Sequence, residues 1–198
     1  MSDAGVEGVE ERTGGSKVAR NSAIVVGLVL VAFIALLATR GTSTPISSRI
    51  VGQAAPDFSG TTLDGSRWVM ANHRGEWVVV NFFATWCTPC RIEDPQLQQF
   101  VESHRGQPVR VISVAFSDDA DSIRDYWLAE RNSWPVIPAD TGSIALDYGV
   151  TKVPESYVVA PSGLVVAGFY GGVTAAGLDD VIERNGGMAV ASNGGNVR

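Results

Sequence analysis

The only two cysteines of the chain, Cys87 and Cys90, lie two residues apart in Trp86-Cys87-Thr88-Pro89-Cys90, between two segments of different hydrophobic period. The run before them, Trp77 to Phe83 (WVVVNFF), is apolar, β-branched and aromatic and too short for a helix, so it reads as a buried strand. The run after them, from Pro89 on, places Ile92, Leu97, Phe100 and Val101 at helical spacing. Cys87 therefore falls at or just before a helix N-terminus, where unsatisfied N–H groups and the positive end of the dipole favour a thiolate. A C-x-x-C at a strand-to-helix junction is the pattern of thiol/disulfide exchange. Cys87 is the expected nucleophile, and Cys90, one turn on, is near enough to resolve a mixed disulfide.

Other uses of the pair fit less well. A disulfide across two residues closes too small a loop to add much stability. A zinc half-site needs a second Cys or His pair, and His73 and His104 stand far apart, so no metal and no cofactor is expected. The chain carries 15 Lys and Arg against 21 Asp and Glu, a formal net charge of −6, and shows no basic patch, which argues against nucleic acid. The acidic run Asp118-Asp119-Ala120-Asp121 reads as a solvated turn.

The 198 residues suit one domain with appendages. Residues 1–21, rich in Gly, Ser and Glu, read as a disordered tail on the cytoplasmic side. Ala23 to Thr39 is an uncharged apolar run of roughly 26 Å if helical, just short of a ~30 Å hydrocarbon core. With Ser22, and with Arg20 and Arg40 snorkelling, residues 22–40 form an expected transmembrane anchor. A cleaved signal peptide competes with this reading, but no A-x-A site follows and the run is long for such a peptide. Arg12, Lys17 and Arg20 precede the span and Arg40 and Arg49 follow it, a bias toward N-terminus inside. Residues 41–50 read as a linker, 51–187 as the folded domain and 188–198 as a flexible tail.

Within 51–187 the patterns predict strands over 68–70, 77–83, 109–116 and 135–137. Helices are predicted over 89–103, 122–130, 143–148 and 174–184, and a hairpin over 156–160 and 164–170 turns at Pro161-Ser162-Gly163. Strands alternating with helices, then a hairpin, imply an α/β fold with a mixed central sheet flanked by helices.

These residues resemble the membrane-anchored thioredoxin-like TlpA/ResA/CcmG (DsbE) group of bacteria over about Val51 to Gly186. Ala55-Pro56-Asp57-Phe58 matches the group's A-P-D-F opening, which peroxiredoxins share. Val80 to Pro95 (VNFFATWCTPCRIEDP) matches V-N-F-W-A-x-W-C-x-P-C-R-x-E-x-P, with Phe83 in place of the usual Trp. Ala84 stands where a peroxiredoxin carries the Thr of its T-x-x-C, which sets that branch aside. Asp147 to Tyr157 resembles the Y-G-V-x-x-x-P-E-T-F segment of the CcmG branch, with Ser156 and Tyr157 for Thr and Phe.

The resemblance implies a thioredoxin-like fold and a redox-active Cys87–Cys90 disulfide. It also implies a cis-proline at Pro154 that turns the Val153 backbone toward the sulfurs, where a substrate strand would pair, and Trp86 packed beside the nucleophile. Asn81 occupies the place of a buried Asp in ordinary thioredoxins, so a base for Cys90 must come from elsewhere. Glu93, on one helix face with Cys90, and Glu155 are the candidates. The implied function is a thiol:disulfide oxidoreductase tethered to the bacterial cytoplasmic membrane by a single pass, with its catalytic domain on the periplasmic or extracellular side. Its expected substrates are disulfide-containing proteins, apocytochrome c above all, with a membrane electron donor of the CcdA/DsbD type. The alternatives are an oxidase for secreted proteins and a non-enzymatic binding module of the same fold. Copper-handling relatives pair C-x-x-x-C with a late His, and neither is present.

Overall fold

The computed structural model describes residues 16–38, 50–140 and 142–187. They fall into two units, divided between Thr42 and Ser43. Helix α1 (Ser16–Ala38) belongs to the first. Among the described residues no helix is long and apolar enough to cross a membrane. The span expected over 22–40 is therefore not established by the fold, and its residues 39 and 40 lie outside the described set, as do the tails 1–15 and 188–198 and most of the linker.

The second unit contains β1 (Ser59–Thr61), β2 (Arg67–Val69), a 3₁₀ turn (Met70–His73), β3 (Trp77–Phe83), α2 (Thr88–Ser103) and β4 (Val109–Ala115). It continues with α3 (Ala120–Glu130), β5 (Val136–Ile137), α4 (Ser143–Asp147), β6 (Glu155–Val159), β7 (Val165–Tyr170) and α5 (Ala175–Arg184). Five strands form one sheet in the order β5-β4-β3-β6-β7. β3 runs parallel to β4, and β4 to β5, whereas β6 is antiparallel to both β3 and β7. The mixed sheet expected from strands alternating with helices and closed by a hairpin is what forms.

β3 is central and buried at every residue, so its side chains divide between two cores. Trp77, Val79 and Phe83 join Leu97 and Phe100 of α2, Trp127 of α3 and Leu178 and Ile182 of α5. Val78, Val80 and Phe82 join Ile144 of α4, Tyr148, Tyr157 and the Phe58 and Trp68 rings on the other face. The period of two along one apolar strand thus fills both layers. α2 and α3 run on one face, and α4 with the β1–β2 hairpin covers the other.

Helix ends follow the sequence. Asp119 caps α3 by accepting from Ser122 N–H at 2.8 Å, and Thr174 caps α5 by accepting from Gly177 N–H at 3.1 Å. Strand β1 is absent from the sequence-based expectation, because Ser59-Gly60-Thr61 has no apolar alternation. It exists because Gly60 leaves room: a Cβ there would sit 2.7 Å from Ile137 Cδ1. The expected strand 68–70 shifts by one residue, since Met70 opens the 3₁₀ turn.

Candidate active site

β3 ends at Phe83, and the chain crosses Ala84, Thr85 and Trp86 to Cys87, the N-cap of α2. Cys87 and Cys90 are joined by a disulfide, S–S 2.07 Å. Cys90 N–H donates to Cys87 Sγ at 3.2 Å, and Arg91 N–H to Cys87 O at 3.2 Å. The Cys90 amide, which also donates to Cys87 O at 3.1 Å, thus points at the sulfur of Cys87, an arrangement that favours a thiolate once the bond is reduced. Pro89 stands in the first turn, where its missing N–H costs nothing. Pro95 lies inside α2, as the sequence predicts.

Both cysteines are 4% exposed and pack into the α2-side core, because the N-cap position folds Cys87 back over its own helix. Trp86 is instead the exposed group, at 60%, and its indole N–H donates to Ser117 O at 3.2 Å. Ser117 has a left-handed φ of 50°, a conformation a serine holds only under constraint from its surroundings. Beside it Asp118 Oδ2 accepts from Thr85 N–H at 2.6 Å and from Thr85 Oγ1 at 2.8 Å. The acidic run is therefore not simply a solvated turn. Asp118 fixes the turn that carries Trp86 and Cys87, and Asp119 caps α3.

Val153–Pro154 is a cis peptide bond, Pro154 is buried, and Gly171 N–H donates to Pro154 O at 2.9 Å. Val153 is half-buried and packs against both cores.

Glu93 is 3% exposed, below the first turn of α2. Its Oε2 accepts from Val173 N–H at 2.9 Å, in the loop before α5, and its Oε1 accepts from Asn81 Nδ2 at 2.9 Å. Burial pushes its carboxyl from 4.5 up to about 7; the two donors oppose that rise and the neighbouring Asp94 adds to it. Asp94 is itself buried and accepts from Tyr126 Oη at 2.8 Å and from Asn132 Nδ2 at 3.0 Å, tying α2 to α3. Desolvation raises its carboxyl as well, against these two bonds.

Glu155 lies elsewhere. It is fully buried rather than solvated, and strand alternation turns Ser156 toward Asn81 while Glu155 shares the opposite face with Tyr157. Tyr157 Oη donates to its Oε2 at 2.9 Å, and its Oε1 has no hydrogen-bond partner among the described residues. The two candidate carboxylates thus occupy opposite faces of the sheet, and Glu93 alone lies on the cysteine helix. Among the described residues no group of three or more His, Cys, Asp or Glu is placed to hold a metal ion.

Sequence reasoning missed Asp118, and it missed the polar row Ser113, Asn81 and Ser156 buried across three strands. The available signal was a small polar residue beside apolar neighbours in each of the three strands.

Residues 51–167 match the AhpC/TSA family. The thiol:disulfide interchange protein DsbE of Pseudomonas fluorescens is 31% identical over 169 residues, 82% of this chain and 89% of that protein. The thiol-disulfide oxidoreductase ResA of Bacillus thuringiensis is 24% identical over 81% of this chain and 93% of its own. The crystal structure of a thioredoxin-family thiol:disulfide interchange protein from Chlorobium tepidum superposes with a TM-score of 0.62 at 28% identity, covering 70% of this chain and 98% of that one.

Proposed function

The chain belongs to the AhpC/TSA family, and from that membership and the geometry of Cys87 and Cys90 we propose an extracytoplasmic, membrane-tethered thiol:disulfide oxidoreductase that reduces disulfides of apocytochrome c during cytochrome c maturation. The observation that carries the chemistry is a redox pair at the N-terminus of α2 with an amide N–H directed at Cys87 Sγ.

In the reduced protein the Cys87 thiolate attacks one sulfur of a substrate disulfide. The new S–S bond links Cys87 to the substrate, and the other substrate sulfur leaves as a thiolate. Cys90 gives up its proton and attacks Cys87 Sγ, which releases the second substrate thiolate and re-forms the Cys87–Cys90 disulfide. Two electrons pass to the substrate, and a membrane dithiol donor of the CcdA/DsbD type returns them. Glu93, on the same helix face as Cys90, is the group assigned to that proton. Glu155, the other candidate from the sequence, lies on the opposite face of the sheet and is not assigned this proton. Trp86, Val153 and Pro154 form the surface that meets the substrate, with Trp86 exposed beside the disulfide.

The tether rests on α1. Its described side chains Ile24, Val25, Val26, Leu28, Val29, Leu30, Val31 and Phe33 are all more than half exposed, an apolar surface that water would not favour. The apolar run within α1 begins at Ala23, after the polar first turns with Lys17, Arg20 and Asn21, and the proposed tether extends it with Ser22 and the snorkelling Arg20 and Arg40.

The full-length protein is expected to reduce insulin disulfides with dithiothreitol as electron source, and Cys87→Ser to abolish the reaction. Cys90→Ser should accumulate a mixed disulfide with a cytochrome c peptide carrying an oxidised C-x-x-C-H. A Cys90→Ser protein that traps no mixed disulfide overturns the mechanism. If the native protein instead oxidises that peptide's dithiol, the electrons run the other way and the oxidase reading stands.

A further inference from the structure

We propose that Asn81, locked by Ser113 and Trp134, is a positioning residue that holds the Glu93 carboxylate on the Cys90 side of α2 and sets how tightly it binds its proton. The inference deepens the proton role assigned to Glu93 above.

Four side chains form a chain of hydrogen bonds whose direction is fixed by its outer end. Trp134 Nε1 can only donate, and it donates to Ser113 Oγ at 2.9 Å. Ser113 therefore directs its own proton to Asn81 Oδ1, 3.0 Å away. That leaves Asn81 Nδ2 to donate to Glu93 Oε1 at 2.9 Å and to Ser156 Oγ at 3.1 Å. The opposite amide orientation would set Asn81 Oδ1 against a carboxylate oxygen. Ser113 and Ser156 are the two cross-strand partners of Asn81, one on β4 and one on β6, so the register of three strands builds the row. Asn81, Ser113 and Ser156 are each at most 1% exposed, and no water can substitute for a lost member without a change in packing.

The consequence falls on Glu93. A carboxylate this buried is held by two donors, Val173 N–H from the loop before α5 and the Asn81 amide from β3. The charged neighbour acting on it is Asp94, on its own helix, and the titratable thiol on its own face is Cys90. The backbone donor is common to any side chain at position 173. Asn81 is thus the side-chain group that tunes the site, and its donor favours the anion.

The test is the pH titration of the Glu93 side-chain carboxyl by carbon-13 NMR in the oxidised full-length protein. Asn81→Ala removes the donor, and Ser113→Ala frees the amide to turn. Each is expected to move the midpoint up by about one pH unit, a tenfold change in proton affinity. In the unaltered protein the Asn81 Nδ2 and Trp134 Nε1 protons should shift with the same midpoint as Glu93, while the Trp86 indole proton, bonded to Ser117 O, should not. This second measurement needs no variant and decides the matter if either substitution prevents folding. An unmoved Glu93 midpoint in folded variants, or Asn81 protons blind to the Glu93 titration, overturns the proposal. Because the titration is read without turnover, an enzyme inactive on insulin but showing these shifts would sink the oxidoreductase reading alone.

Discussion

Glu93 makes folding depend on pH with a sign its burial dictates. The carboxyl titrates near 7 in the folded protein and near 4.5 in an unfolded chain, so the folded state binds the proton more tightly. The associated stability is fully present below about pH 4.5 and is lost as pH rises through about 7. A difference of that size corresponds to about 3 kcal/mol. Denaturant unfolding of the oxidised protein at pH 5 and pH 8 should show this loss, and Glu93→Gln should remove most of the dependence whatever its own fixed cost. Identical slopes in the two proteins would mean that Glu93 is ionised throughout. At the neighbouring sulfurs the expected asymmetry is electrostatic rather than steric. Cys87 and Cys90 are equally buried when joined, so burial favours neither, whereas the amide directed at Cys87 Sγ favours a thiolate there. Iodoacetamide at mildly acidic pH is therefore expected to label Cys87 before Cys90 in the reduced protein, as peptide mapping would show.

The elements around the site are held by short polar devices at their ends, and these are separable by mutation. Asp119 caps α3, and its loss to Ala should lower stability with no effect on disulfide reduction. Asp118 makes two bonds to Thr85 at the turn between β3 and α2, so Asp118→Ala should cost about 2 kcal/mol and also slow attack by Cys87. Equal effects of the two substitutions on insulin reduction would show that the turn needs no such clamp. The contrast also shows what the sequence could reveal. The span of β3 and the start of α2 are legible because apolar period and a Pro in the first turn announce them. The helix expected from 122, which begins at 120, and the hairpin around Gly163 follow from turn residues and spacing. Neighbouring aspartates with different tasks are not legible, since those tasks depend on which strand end lies opposite. Glu155 illustrates the same limit: it stands just before the strand expected from Ser156, yet it opens β6, and register with Phe82 buries it completely.

For the whole molecule, the proposed function has the Cys87–Cys90 pair work where disulfides persist, outside the cytoplasm. The sequence supports that placement through an uncharged apolar run over Ala23 to Thr39 and a bias of basic residues before it. Helix α1 (Ser16–Ala38) carries most of that run, and its apolar side chains between Ile24 and Phe33 are exposed. A single uncleaved span, with residues 1–21 in the cytoplasm and 41–198 outside, satisfies all three. An alkaline phosphatase fusion after Arg198, active only outside the cytoplasm, is expected to be active, and the full-length protein should stay with membranes after alkaline carbonate. Replacing Val29 and Leu30 with Arg should release the protein from membranes, because each charge at mid-span costs about 3 kcal/mol. An inactive fusion would place the domain in the cytoplasm and end the cytochrome-maturation reading. A soluble product beginning near Thr39 would leave the thiol chemistry standing and replace the anchor with a cleaved signal peptide.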